Sequence, residues 1–248
     1  MQIKYKKYRN LYLFSLHNHR FHAIIIKSNP YAGEIMEYTK LFFVRHGQSD
    51  GNLKKLCYGQ NPGMLTELGH RQAEAVADYL SNVRFDCIYS SDQRRAYETA
   101  EPTADRQKLH IISDPGLREI NAGKWECMSW SDIETNYPEE FELWIRSFSK
   151  AGCPDGESIG ELYERISKHV RQLAKEHIGE TVAVFTHAAA LRSLGCDWAG
   201  LGLEYTDTEN WFENASISEV DYYEDGSINP VSVGFTGHLK ALSSVSEA

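Results

Sequence analysis

Leu41-Phe42-Phe43-Val44-Arg45-His46-Gly47-Gln48-Ser49 reads as an apolar strand that delivers an arginine and a histidine straight into a glycine turn. A second apolar run, Thr181-Val182-Ala183-Val184-Phe185-Thr186, ends at His187. If the two strands are parallel neighbours, the two histidines meet at their carboxyl ends, where open α/β sheets form their binding crevice.

The segments around these strands alternate. Thr66 caps a helix running to about Leu80, with Ala73, Val76, Ala77 and Leu80 on one face. Phe85–Ser90 reads as a strand, followed by a helix through Arg94, Arg95 and Ala100 and a further strand at His110–Ile112. The residues Ile159, Leu162, Ile166, Val170 and Leu173 recur at helical spacing and mark a long amphipathic helix that feeds the strand ending at Thr186. Another helix is expected over Ala188–Leu194. Strands are expected at Ile217–Tyr223 and Val231–Phe235, joined by the turn-rich Glu224-Asp225-Gly226-Ser227. Between Gln48 and Met64 the expectation is a polar loop. Asn121–Pro154, rich in tryptophan and acids, breaks the β/α rhythm and reads as an insertion over a site.

The chain has 248 residues, 42% hydrophobic and 25% charged, which fits one sizeable core. A net charge of −9 argues against broad contact with nucleic acid or an anionic membrane, and an anionic substrate would need a locally cationic pocket. The five cysteines are scattered without a Cys-x-x-Cys pair, so reduced thiols in the cytoplasm are expected. Residues 1–35 carry six basic side chains against one acid and lack a signal-length apolar core. They are read as a leader or appended segment, disorder being one expectation for it, with a single domain over 36–248.

Arg45-His46-Gly47-Gln48-Ser49 with Asn52, Leu65-Thr66-Glu67-Leu68-Gly69, Ser90-Ser91-Asp92-Gln93-Arg94-Arg95-Ala96, Leu117-Arg118-Glu119, Gly156-Glu157-Ser158 and Thr186-His187 with Leu191-Arg192 follow one another in a set order. In that order the chain resembles the histidine phosphatase superfamily, from about Lys40 to Leu239. The resemblance implies an α/β fold: a three-layer α/β/α sandwich with a mostly parallel central sheet and a helical insertion over the active site. It also implies a covalent phosphohistidine mechanism with no metal and no cofactor.

By the same resemblance His46 is the nucleophile, Arg45 and Arg95 bind phosphate, and His187 contacts the phosphoryl group as a cation or hydrogen-bond donor. Glu119 matches the general acid, while Asn52 and Gln48 donate to phosphate or shape the loop. Arg94 is the neighbouring alternative to Arg95, and a salt bridge to Arg118 is the structural alternative for Glu119. Trp125, Trp130 and Trp144 are an apolar wall or simply core. Ala188 and Ala189 stand where many members carry two glycines, a change that keeps the backbone N–H donors but adds two methyl groups.

The function expected from these residues is phosphomonoester hydrolysis of a small phosphorylated metabolite. A cofactor-dependent phosphoglycerate mutase and a non-catalytic phosphate-binding regulatory module are the alternatives. The expected partner is a small-molecule phosphate ester, with no nucleic acid and no membrane; no residue pattern fixes an oligomeric state.

Overall fold

The computed structural model describes residues 36–208 and 211–243 and, as backbone only, the paired dipeptides Lys7–Tyr8 and Leu11–Tyr12. Apart from those dipeptides, the expected leader 1–35 lies outside the described residues.

Strand β1 (Tyr38–Arg45) is followed by α1 (Asp50–Lys54), β2 (Leu56–Cys57), α2 (Glu67–Tyr79), β3 (Cys87–Ser90), α3 (Arg94–Gln107) and β4 (Ile111–Ser113). The insertion carries β5 (Met128–Ser129), α4 (Trp130–Asn136) and α5 (Pro138–Arg146). Then come α6 (Ile159–Glu176), β6 (Thr181–Thr186), α7 (Ala188–Ala199), β7 (Ile217–Tyr223), β8 (Ile228–Phe235) and α8 (Lys240–Ser243).

Six strands form the central sheet in the order β8-β7-β1-β6-β3-β4. The β1, β6, β3 and β4 strands run parallel, and β7 and β8 close one edge antiparallel. The alternation of side chains along a strand sorts the core into two layers. Leu41, Phe43, Val182 and Val184 pack against Ile166, Val170 and Leu191 of α6 and α7 on one face. Phe42, Val44, Ala183 and Phe185 pack against Val76 of α2, Leu80 just beyond it and Ala100 of α3 on the other. The three-layer expectation therefore holds, and the two strands that end in histidine are in-register parallel neighbours, Arg45 opposite Thr186.

Local chemistry sets the helix starts. Thr66 Oγ1 accepts from the Gly69 N–H at 3.1 Å, and Ser158 with Glu161 forms a capping box at the head of α6. The expected polar loop after His46 contains α1, whose five residues are too few to show a period; its signal is the capping box between Ser49 and Asn52. Strand β8 begins three residues before the expected Val231 and includes Pro230, which is tolerated because β8 lies at the sheet edge. Helix α7 runs on past Leu194 to Ala199 and stops at Gly200, whose φ is +64°.

A third apolar cluster, with Trp125, Ile133, Trp144, Phe148, Ile159 and Leu162, holds the insertion against the body. The turn after His46 is fixed from the opposite side. Gly47 and Gly69 face each other so closely that a methyl group on Gly69 would lie 2.1 Å from the Gln48 carbonyl oxygen. Gly69→Ala should destabilise the fold by about 1–3 kcal/mol through this overpacking, read as a lower urea midpoint with unchanged slope.

Candidate active site

His46 lies one residue beyond β1 and His187 one residue beyond β6, and their ring centroids are 5.3 Å apart. His46 Nδ1 lies 2.7 Å from the Gly47 carbonyl oxygen. A carbonyl only accepts, so Nδ1 carries the proton and Nε2 keeps its lone pair. Burial, with Arg95 and Arg45 nearby, holds the imidazole well below its ordinary pKa of 6.5, so it is neutral at physiological pH.

His187 is fully buried, its Nε2 is 2.9 Å from Ser91 Oγ, and its Nδ1 has no hydrogen-bond partner among the described residues. Burial, Arg95 and His46 push its pKa well down as well. Of the two expected forms, cation or hydrogen-bond donor, the resting ring is the neutral one, held so first by burial and then by the neighbouring Arg95.

Arg95 is 2% exposed. It donates to the Asn61 carbonyl at 2.9 Å and to the Gly59 carbonyl at 2.8 Å. Arg94, one residue earlier on α3, points away and pairs with Glu98 at 2.6 Å on an exposed face. Arg45 donates from Nη1 to the Phe212 carbonyl, and its buried Nε has no partner among the described residues. Burial lowers both Arg45 and Arg95 to about 10, which leaves both charged at neutral pH. Among the described residues no carboxylate ion-pairs with either.

Glu119 faces the same cavity. Its carboxylate accepts from the backbone N–H groups of Ile120 at 3.0 Å, Ala189 at 3.1 Å and Ala190 at 3.3 Å, the last two at the start of α7. Arg118 does not pair with it, since Arg118 is taken by Asp92. The alanines at 188 and 189 need no left-handed backbone, and both line the cavity.

Arg45, His46, Arg95 and Glu119 line one cavity of about 480 Å³, together with Asn52. Asn52 Oδ1 accepts from the Ser49 N–H at 3.0 Å and from Asn214 Nδ2 at 3.0 Å, so the oxygen is engaged and the amide nitrogen is left to donate. Gln48 is not among the lining residues. Its Oε1 accepts from Thr66 Oγ1 at 2.8 Å and its carbonyl from the Thr66 N–H at 2.9 Å, which makes it a brace between loop and α2 rather than a phosphate donor.

Over residues 41–231 the chain matches the model of the histidine phosphatase superfamily, branch 1. The chain belongs to this superfamily. Phosphoserine phosphatase 1 of Hydrogenobacter thermophilus is 31% identical over 204 residues, 81% of this chain and 94% of the relative. The solved structure of Bacillus stearothermophilus YhfR superposes with a TM-score of 0.78 at 26% identity, covering 82% of this chain and all of that one. A mycobacterial glucosyl-3-phosphoglycerate phosphatase in complex with VO3 gives 0.73 at 26% identity, covering 79% and 99%.

The sequence reading of this histidine phosphatase left several site residues without a role. Gln93 donates from Nε2 to the Gly59 carbonyl and accepts on Oε1 from the Glu119 N–H, so it ties the arginine loop to the carboxylate loop. Asn214 Nδ2 lies 3.1 Å from the His46 carbonyl oxygen. Trp211 lines the cavity from a stretch to which no element was assigned. Gln93 stood inside a family motif and could have been singled out; Trp211 and Asn214 reach the site only through the tertiary fold. The tryptophan alternatives divide: Trp125 is core, Trp130 lines the cavity, and Trp144 belongs to the core cluster and also borders the cavity. Cys57 also lines it, and burial pushes its thiol up to about 12, so it stays protonated.

Among the described residues the one group with metal-ligand spacing is Cys87, His177 and Glu180, at the opposite end of the sheet from His46. Its members already satisfy one another: His177 Nδ1 is 2.6 Å from Glu180 Oε2 and Nε2 is 2.9 Å from the Tyr89 hydroxyl.

The two site histidines impose a pH dependence on stability. The unfolded chain takes up a proton at each near pH 6.5, while the folded chain does not. Their contribution to stability is complete above pH 6.5 and is lost as pH falls below it. Urea unfolding at pH 7.5 and 5.5 should show this loss, and His187→Asn should make the difference between the two pH values smaller.

Proposed function

We propose that the protein is a metal-independent phosphomonoesterase that hydrolyses a small phosphorylated metabolite through a covalent phosphohistidine. The observation that carries this reading is the hydrogen bond from His46 Nδ1 to the Gly47 carbonyl, which leaves a neutral Nε2 beside Arg45, Arg95 and Glu119 in one cavity.

The phosphoryl oxygens lie between the two guanidinium groups, which offer forked donors and stabilise the charge of the transferring group. An oxygen that accepts from His187 would also give its Nδ1 the partner that it lacks among the described residues. His46 Nε2 attacks phosphorus in line, the N–P bond forms, and the ester P–O bond breaks with its electron pair leaving on the alkoxide. Protonated Glu119 gives that oxygen its proton. Water then attacks the phosphohistidine, Glu119 takes the proton back, and inorganic phosphate leaves with His46 restored.

A mutase would have to hold a second phosphate during transfer. Beyond Arg45 and Arg95, Lys55 is the only cation among the described lining residues, which favours hydrolysis. A purely binding module would not require an unprotonated nucleophile next to a carboxyl group. A cytoplasmic site of action belongs to the same proposal; it is supported by five cysteines without a disulfide and by the lack of a described helix long and apolar enough to cross a membrane.

Rapid quench with a 32P-labelled ester in the presence of a chelator should trap acid-labile phosphoprotein in the wild type and none in His46→Ala. A phosphoprotein stable to acid would rule out phosphohistidine. Glu119→Gln should lower kcat by ~10²- to 10⁴-fold for alkyl phosphates and far less for p-nitrophenyl phosphate, whose leaving group needs no proton. Equal losses on the two substrates would remove Glu119 from the role of acid.

A further inference from the structure

The cavity lining has two unlike parts: His46 with the two arginines, and an apolar set of Trp130, Phe141, Trp144, Ile145 and Trp211. Trp144 is the rigid centre of that wall. Its ring stands edge-on to Trp125 and Phe148, with centroids at 5.5 Å and 4.8 Å, and lies 6.0 Å from Trp211 at an interplanar angle of 26°. Trp211 is fixed in turn, since the Arg192 guanidinium lies over its ring at 4.5 Å. Yet Trp211 remains 43% exposed and Ile145 64% exposed, so two residues that line the cavity keep large apolar surface open to water.

The charges of the lining are as selective as its shape. Glu119 is the only carboxylate among the described lining residues, and three backbone N–H groups already occupy it. A substrate ammonium group would meet three like charges, Arg45, Arg95 and Lys55, against the single carboxylate Glu119, which the proton transfer itself uses, so its desolvation would go largely uncompensated. A flat aromatic group, in contrast, can lie against the indole rings at no polar cost.

On the phosphomonoesterase reading, we propose that the substrate is a phosphate monoester whose organic part carries a flat aromatic group and no ammonium group. The aromatic group lies against the exposed Trp211 and Ile145, which the buried Trp144 backs, while the phosphoryl group is held by the arginines. Phosphorylated amino acids and phosphorylated amino alcohols are poor substrates for the same reason.

The test compares 2-phenylethyl, propyl and 2-aminoethyl phosphate, three esters of primary alcohols that differ in what they offer this wall. With the full chain, kcat/KM should be roughly 10- to 100-fold higher for 2-phenylethyl than for propyl phosphate, mainly through KM, and lowest for 2-aminoethyl phosphate. Trp211→Ala and Ile145→Ala should each reduce the ratio of 2-phenylethyl to propyl phosphate. Ile145 is exposed enough that its replacement tests the wall even if the Trp211 variant folds poorly. Release of phosphate that requires His46 but shows no phenylethyl advantage, or favours 2-aminoethyl phosphate, overturns this inference and leaves the phosphomonoesterase reading standing. Failure to release phosphate from all three esters overturns both.

Discussion

Two guanidinium groups are withdrawn from solvent in the same cavity with backbone carbonyls, rather than carboxylates, as their partners. Arg95 is anchored by the Asn61 and Gly59 carbonyls and Arg45 by that of Phe212. A carbonyl orients a guanidinium without cancelling its charge, so the positive field of the site is preserved at a cost in desolvation. Much of the surrounding structure serves this arrangement. Gln93 fastens the loop that supplies the carbonyls, the turn after His46 is clamped by α2, and the insertion closes over the loop through its own aromatic core.

The same field governs the histidines. Buried, and beside two fixed cations, an imidazole gives up its proton, and the carbonyl of Gly47 then decides which nitrogen keeps the remaining one. Nucleophile and cations are therefore not independent parts. A site with one arginine fewer would bind phosphate less well and would also hold His46 less firmly in its neutral form.

The sheet and its helices were legible because both use plain periodicities: alternation along β1 and β6, and the helical recurrence of Ile159, Leu162 and Ile166. The histidines could be read from their place at strand ends, and the choice of Arg95 over Arg94 matches the side of α3 that faces the cavity. Gln48 was not legible, since an amide beside a nucleophile looks the same in sequence whether it donates to phosphate or braces Thr66. The choice between cation and neutral donor for His187 stayed open because it depends on burial and on guanidinium groups brought near by folding. Trp211 and Asn214 carry no local signal; their meaning is set by contacts with residues distant in the chain, most of all that of Asn214 with His46.

That separation bears on how the molecule is made. Strand β1 pairs with β6, from Lys40 opposite Thr181 to Arg45 opposite Thr186, and on its other side with β7. Both partners are synthesised long after β1, so the central strand must wait, with Leu41 to Val44 uncovered, for most of the chain to emerge. Non-local parallel pairing of this kind is slow and exposes apolar edges while it is pending. The nucleophile is therefore encoded early and becomes a nucleophile late. A chain interrupted before β6 would carry His46 with neither its neighbouring histidine nor the strand that holds it in place.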